Sequence, residues 1–287
     1  MHLLAFDTST DALSVAVQRS TPAGPRYWQH QGAGGAAASG SLIAAAMDLL
    51  RQADLRLQDL DAICFGSGPG SFTGLRTACS AAQGLAYGGG VPVLPVSSLL
   101  ALAQSARSAH APQAAQGRVS ALLDARMDEV YAATYAFAGD AWTTLQAPCL
   151  LAPEQVADWA QSAASSSPGK GDMQPGQVMM AAPAWRAWAG NVFANYGERL
   201  SAPAGLFCCE ALPQALALLQ VAPALIAAGA CVAPDQALPL YVRDKVAKTT
   251  GERALEKAHK AGVVLSQDVP LVAPLVHPTA HAQTPGT

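Results

Sequence analysis

The stretch FGSGPGSFTGLR, Phe65–Arg76, joins an apolar run to a helical pattern through a loop that contains four glycines. The residues DAICFGSG that lead into it predict a buried strand, and the apolar spacing after it predicts a helix from Ser71 to Gly88. A strand, a glycine turn and a helix N-terminus place free amide N–H groups where an anion can bind. This connection therefore indicates an α/β protein and raises the question of a phosphate site.

The glycine loop matches neither of two common phosphate-binding motifs. Ser71 and Thr73 stand where a dinucleotide-binding G-x-G-x-x-G would need glycine, and no lysine follows as in a Walker loop. Two interpretations stay open. The loop either cradles a phosphate, with Ser71 or Thr73 capping the helix, or forms a tight turn whose glycines let the backbone approach a neighbour.

Composition indicates a globular protein with a sizeable core. The chain has 287 residues, of which 51% are hydrophobic and 13% charged, and its net charge of -3 creates no broad field that attracts nucleic acid. The N-terminus lacks the basic region of a secretory signal, and the six cysteines form no C-x-x-C pair, so we expect a cytoplasmic protein with reduced thiols. The uncharged stretch 211–234 contains interrupting prolines and predicts a buried, kinked helix pair rather than a membrane span.

The order of elements predicts the fold. LLAFDTS, LSVAVQ and RYWQHQ predict an antiparallel meander, followed by a helix over 41–54, the DAICFGSG strand, the Ser71–Gly88 helix, the VPVLPV strand and a helix in SSLLALAQSA. This β-β-β-α-β-α-β-α order is the repeating unit of the actin-like, sugar-kinase-like ATPase (ASKHA) fold. We therefore expect two such domains.

The second domain is less clear in the sequence. We assign 1–110 to the first actin-like domain, with a connection over 105–117, and 111–248 to the second, whose first strands are VSALLDAR and EVYAATYAF. The low-complexity segment 162–176 predicts a mobile loop, and 249–287 a C-terminal extension with a helix and then a disordered tail. No internal sequence repeat is apparent.

Five motifs, in order along the chain, resemble the bacterial TsaB family, also called YeaZ. They are LLAFDTST at 3–10, GSGPGSFTGLR at 66–76, PVSSLLALA at 95–103, LLDARMDEVY at 122–131 and PLYVR at 239–243. The resemblance spans roughly residues 1–248. It implies a non-catalytic subunit of the machinery that places threonylcarbamoyl on adenosine 37 of tRNAs reading codons that begin with A.

The resemblance also implies partners. They are TsaD, the catalytic relative with the same fold, and TsaE, a small ATPase; tRNA would be reached only through the complex, and a homodimer is possible. ATP or ADP and Mg²⁺ would be used by the complex, with no cofactor assigned to this chain. The alternatives are a free-standing small-molecule kinase or ATPase of the same fold, and a peptidase, although the chain lacks H-E-x-x-H and G-x-S-x-G.

The end of the first strand is the candidate nucleotide site. In this fold a carboxylate there typically faces Mg²⁺-nucleotide, but acid and hydroxyl side chains can equally satisfy backbone donors at a strand end. The candidates are Asp7, Thr8, Ser9, Gly68, Gly70, Ser71 and Thr73. Asp124 and Arg126, at the end of a later strand, are expected to form a buried ion pair or to line the cleft between domains.

The helices around the glycine loop are the candidate partner interface, because small side chains let helices of two subunits approach closely. The candidates are Leu42, Ala45, Ala46, Leu49, Ser71, Phe72, Leu75, Arg76, Ala78, Cys79 and Ala82. The alternative is that these faces pack on the chain's own sheet. No catalytic or metal residue is predicted: the H-x-x-x-H spacing occurs only at His277 and His281, where Pro278 argues against a helix.

Overall fold

The computed structural model describes residues 1–165 and 185–243. Ten strands form two five-stranded sheets within these ranges, and helices pack on both. The strands of the first sheet are β1 (Leu3–Asp7), β2 (Ala12–Thr21), β3 (Gly24–Ala33), β4 (Ala62–Gly68) and β5 (Val93–Ser97). Its helices are α1 (Ala38–Gln52), α2 (Phe72–Gly89) and α3 (Ser98–His110).

The first sheet has the order β3-β2-β1-β4-β5. β1, β2 and β3 form the antiparallel meander, whereas β4 and β5 run parallel to β1. Every residue of the central strand LLAFD is buried, as expected for a strand covered on both faces. The predicted β-β-β-α-β-α-β-α order is confirmed over this part of the chain.

The second sheet repeats that arrangement. Its order is β8-β7-β6-β9-β10, with an antiparallel meander followed by two parallel strands. The strands are β6 (Gln116–Asp124), β7 (Val130–Ala138), β8 (Ala141–Leu151), β9 (Trp185–Gly190) and β10 (Phe207–Glu210), and the helices are α4 (Val156–Ser165), α5 (Phe193–Tyr196) and α6 (Ala215–Ala227). The predicted α/β fold class with two actin-like units is therefore confirmed.

The two faces of the first sheet belong to different cores. Leu4 and Phe6 point to the side where α1 and α2 pack. Leu3 and Ala5 point to the other side and share one core with α3, α6 and the β6 residues Val119 and Ala121. This alternation follows from the two-residue period of a strand, and it leaves α3 and α6 between the two sheets.

Three expectations change in the structure. The stretch 211–234 contains one helix, α6, with Pro223 inside it, and not a helix pair; the chain then turns at Gly229, and Val232 forms a β-bridge with Val93. α3 continues to His110 and β6 begins at Gln116, so the predicted connection 105–117 is mostly regular structure. Residues 162–165 belong to α4, and the rest of the predicted 162–176 loop lies outside the described residues.

α6 and the segment after it return to the first sheet. α6 contacts β1, β2 and β4, and Leu240 N–H donates to the Ser67 carbonyl at 2.7 Å. The predicted second domain, 111–248, thus includes a part that packs on the first sheet, and its boundaries stay a prediction. The extension 249–287 lies outside the described residues. No helix in the described ranges is long and apolar enough to cross a bilayer.

Candidate functional site

Asp7 ends β1 with its carboxylate buried and occupied by the chain itself. One carboxylate oxygen accepts hydrogen bonds from the Ser9 backbone N–H at 2.8 Å and the Ser9 hydroxyl at 2.6 Å, and the other accepts one from Ser98 Oγ at 3.0 Å. Burial raises the pKa of Asp7, although the hydrogen bonds from Ser9 and Ser98 counteract it. Asp7 therefore acts as an acceptor that shapes the β1 turn.

Thr8 and Ser9 pack directly against the glycine loop. The Thr8 hydroxyl donates to the Gly74 carbonyl at 2.7 Å, and the Ser71 N–H donates to the Ser9 carbonyl at 2.7 Å. A Cβ at Gly74 would overlap the Thr8 carbonyl oxygen, and a Cβ at Gly70 would overlap Ser9. These glycines make room for the chain's own backbone, and the contacts favour the tight-turn interpretation.

The loop then starts α2. Ser71 is the N-cap residue and its hydroxyl accepts from the Gly74 N–H at 3.4 Å, whereas Thr73 lies in the first turn with its carbonyl accepting from the Thr77 hydroxyl. Gly68 has a φ of +119°, and a Cβ there would meet the Leu240 carbonyl oxygen. The strand-to-helix turn is thus in contact with the turn after β1 and with the segment around Leu240.

Asp124 is the last residue of β6, and Arg126 lies on the turn between β6 and β7. The Asp124 carboxylate accepts from the Arg126 backbone N–H and the Tyr196 hydroxyl, both at 2.8 Å, and its ion pair with the Arg126 side chain measures 3.6 Å. Burial and the Asp124 carboxylate raise the pKa of Tyr196 to about 12. Arg126 also pairs with Asp11 of the first unit at 2.6 Å, so this exposed side chain bridges the two units.

The PLYVR segment at 239–243 contacts both the GSGPGSFTGLR motif at 66–76 and the LLDARMDEVY motif at 122–131. The Arg76 guanidinium donates to the Tyr241 hydroxyl at 3.2 Å, and the rings of Phe72 and Tyr241 lie 5.5 Å apart. Arg243 donates to the Ala125 carbonyl at 2.9 Å and pairs with the Glu129 carboxylate. We call the convergence of residues 7–9, 66–76, 124–129 and 239–243 the motif junction.

Sequence reasoning missed several residues of the motif junction. Ser98, Asn191, Tyr241 and Arg243 were given no site role, although PLYVR and PVSSLLALA were recognisable as motifs. Asn191 accepts a hydrogen bond from the Asp124 N–H through its side-chain oxygen at 2.8 Å. These partners are far apart in sequence, so no local pattern joins them.

Most of the predicted interface residues are buried in the chain's own core. They are Leu42, Ala46, Leu49, Leu75, Ala78, Cys79 and Ala82. Ala45 is half-buried, and Ser71, Phe72 and Arg76 are exposed. The buried seven are corrected to core residues because they form the stripe with which each helix packs on the first sheet.

A different face of these helices is accessible. On α1, Ile43 is 49% exposed and Met47 is 44% exposed; at the end of α2, Tyr87 is 85% exposed. Ile43 and Met47 are four residues apart and therefore share one side of α1. We call Ile43 and Met47 the exposed helix face.

In the part of the chain that the structure describes, no three His, Cys, Asp or Glu side chains lie close enough together to hold a metal ion. His277 and His281 lie outside the described residues. The carboxylate and hydroxyl groups that could face a nucleotide at the end of β1 are those of Asp7, Thr8 and Ser9, and all three are engaged in the hydrogen bonds given above.

Comparison with known proteins gives the family. A family model described as "TsaD: tRNA N6-adenosine threonylcarbamoyltransferase" matches residues 36–202. The chain is similar to "tRNA threonylcarbamoyladenosine biosynthesis protein TsaB" of Escherichia coli (strain K12), with 31% identity over 255 residues that cover 86% of this chain and 96% of that protein. It is also similar to the solved structure "YeaZ from Pseudomonas aeruginosa", with 36% identity, a TM-score of 0.66 and coverage of 84% of this chain and 99% of that one. The order of motifs along two actin-like units agrees with this similarity, and the chain belongs to the TsaB (YeaZ) family.

Proposed function

We propose that this chain is a non-catalytic subunit for the threonylcarbamoylation of adenosine 37 in tRNAs that read codons beginning with A. It binds the catalytic relative TsaD and works with the ATPase TsaE, and tRNA reaches it only through the complex. The observation that carries the proposal is the similarity over 96% of a protein named for tRNA threonylcarbamoyladenosine biosynthesis. The free thiols of its six cysteines suit a cytoplasmic location.

The exposed helix face supports a partner-binding role. Isolated exposed apolar residues are ordinary, but Ile43 and Met47 align on one side of a helix beside α2, and aromatic residues and methionine are enriched in interface cores. We place the contact with TsaD here. ATP or ADP and Mg²⁺ belong to the complex, since the Asp7 carboxylate and the Ser9 hydroxyl of this chain already satisfy one another.

The interface is tested with Met47→Glu and with Ile43→Glu. A carboxylate at the centre of an apolar contact loses its hydration, so we expect binding of purified TsaD to weaken at least tenfold by calorimetry, with the thermal unfolding temperature unchanged. The control is Leu145→Glu, which changes an exposed leucine of β8. Undiminished TsaD binding by both helix variants would refute the assignment of this face.

The role in the reaction is tested by reconstitution. The chain alone is expected to show neither threonylcarbamoyl transfer nor appreciable ATP hydrolysis, and addition of TsaD, TsaE, ATP and threonylcarbamoyl-adenylate to the chain is expected to restore tRNA modification. Rapid ATP turnover by the chain alone, on a small-molecule acceptor, would instead favour the kinase of the same fold.

A further inference from the structure

The second sheet carries a pocket of about 430 Å³ on the side of α4. Arg118 of β6, Arg186 and Trp188 of β9 and Phe207 of β10 line it, and α4 contributes Ala160. Its volume lies in the range of small-molecule sites. We call it the arginine pocket.

The two arginines are neighbours that repel each other. Arg118 and Arg186 are register partners on the parallel strands β6 and β9, so their side chains leave the same face of the sheet side by side. Burial, together with the proximity of Arg186, lowers the pKa of Arg118. Two adjacent guanidinium groups cost free energy unless an anion lies between them.

Neither arginine has an acidic partner among the described residues. Arg118 Nε is buried there without a hydrogen-bond partner, and none of the described residues that line the pocket is acidic. By contrast, ion pairs with carboxylates are formed by Arg19, Arg51, Arg56, Arg126, Arg199 and Arg243. A buried donor without an acceptor is rare in folded proteins, and this one belongs to a residue that lines an open pocket.

The aromatic residues Trp185 and Phe207 do not lie beside the arginines. Phe207 is in register with Ala187, the residue after Arg186, so its side chain leaves the opposite face of the sheet, where its ring lies 6.1 Å from that of Trp185 and 5.2 Å from that of His110. The two arginines are therefore the charged groups that the pocket offers to a ligand. Guanidinium pairs are the side chains best suited to bind phosphate oxygens with several hydrogen bonds.

We propose that the arginine pocket binds a small phosphate compound, with its phosphate oxygens accepting hydrogen bonds from Arg118 and Arg186. A phosphate monoester is the ligand class of this size and chemistry. The site lies on the second sheet and does not involve the motif junction, so the inference stands apart from the proposed function.

The test uses the full-length chain and calorimetric titration with AMP, inorganic phosphate and adenosine. We expect AMP and inorganic phosphate both to bind, and adenosine to bind at least tenfold more weakly than AMP because it lacks the anion. Arg118→Gln and Arg186→Gln should each weaken AMP binding at least tenfold. The matched control is Arg26→Gln, which changes an exposed arginine beside Trp28 on β3.

A second readout separates binding from folding. Phosphate should raise the thermal unfolding temperature of the unmodified chain and of Arg26→Gln, but not that of the Arg118→Gln, Arg186→Gln double variant. Without ligand, the double variant should unfold at the same temperature as the unmodified chain or higher, because the repulsion is gone. Absence of AMP and phosphate binding, or equal binding of AMP and adenosine, would overturn the proposal.

Discussion

Asp7 is the residue for which a structural role and a role in nucleotide binding make the most different demands on the side chain. Its two oxygens accept three hydrogen bonds from Ser9 and Ser98. Such an arrangement needs an acceptor but not a negative charge. A carboxylate that served Mg²⁺-nucleotide would need both its charge and a free lone pair.

Replacement of Asp7 by asparagine therefore should preserve the protein. The asparagine would keep a side-chain oxygen for the Ser9 donors, and its amide could donate to Ser98 Oγ. We expect Asp7→Asn to unfold at or above the temperature of the unmodified chain at pH 7, and to support tRNA modification with TsaD and TsaE. If Asp7→Asn lost tRNA modification while its fold stayed intact, the result would favour a nucleotide-binding role for Asp7.

The stability difference between the unmodified chain and Asp7→Asn should depend on pH. The pKa of Asp7 is raised in the folded state above its ordinary value of 3.8, so this group favours folding below that value and loses its contribution as pH rises through the folded pKa. The advantage of Asp7→Asn should consequently grow from pH 4 to pH 7 in thermal unfolding. A constant difference over that range would show that the Asp7 pKa is not raised.

The matched change Asp7→Ala removes the acceptor altogether. The Ser9 N–H and hydroxyl and the Ser98 hydroxyl would be left buried without it, at a cost of about 1–3 kcal/mol per unsatisfied group. Chemical denaturation should therefore show a clear loss of stability for Asp7→Ala that Asp7→Asn does not share. Equal losses in the two variants would mean that the charge, and not the acceptor, is what the site requires.

At the scale of elements, α2 contains two glycines whose replacement by alanine should change the stability in opposite directions. Gly74 is buried beside the Thr8 carbonyl, whereas Gly84 on the same helix is exposed with no atom near the position of a Cβ. Gly84→Ala should stabilise by up to about 1 kcal/mol because alanine favours helices. Gly74→Ala should instead destabilise by about 1–3 kcal/mol because the β1 turn must move. Urea denaturation measures both; similar stabilities would contradict the close packing of this loop.

The buried stripe of α2 gives a prediction of its own. Ala78 lies in the core under the first sheet and Ser80 on the exposed side of the same helix. Ala78→Arg would bury a large unpaired charge and should abolish folding, as followed by circular dichroism, whereas Ser80→Arg should fold normally. A folded Ala78→Arg variant that fails only in TsaD binding would restore Ala78 to the interface.

At the scale of the whole molecule, the two units are joined by contacts of very different strength. Arg126 pairs with Asp11 across the units through exposed side chains. Arg243 is largely buried, donates to the Ala125 carbonyl and pairs with Glu129. An exposed pair contributes little because water screens it, whereas hydrogen bonds from a charged group in a partly buried site contribute more.

The variants Arg126→Ala and Arg243→Ala should separate these contributions. We expect Arg126→Ala to change the free energy of unfolding by less than about 1 kcal/mol, and Arg243→Ala to lower it by about 1.5–3 kcal/mol. The first effect should shrink further in high salt. Comparable losses in the two variants by chemical denaturation would contradict this ranking.

Sequence determined the first unit almost completely, because its signals are local. The two-residue period of β1 and β2, the apolar spacing of α2 and the Ser71 cap are each readable within a few residues. In the second unit, only β6, β7 and the helical character of 211–234 were predicted. β9 and β10 are short, α5 has four residues, and such elements leave too few residues for a period to emerge.

Tertiary structure alone decided which helix face is covered and which distant residues meet. Alanine is small and apolar enough to lie either in a core or at an interface, so the spacing of Ala78 and Ala82 does not distinguish the two. Their packing on the first sheet shows that they are core residues. The contact of Arg243 with Glu129 and the alignment of Arg118 with Arg186 join segments that lie far apart in the sequence. Local patterns specify elements, but such pairings follow from strand order and register, which only the burial of whole faces selects.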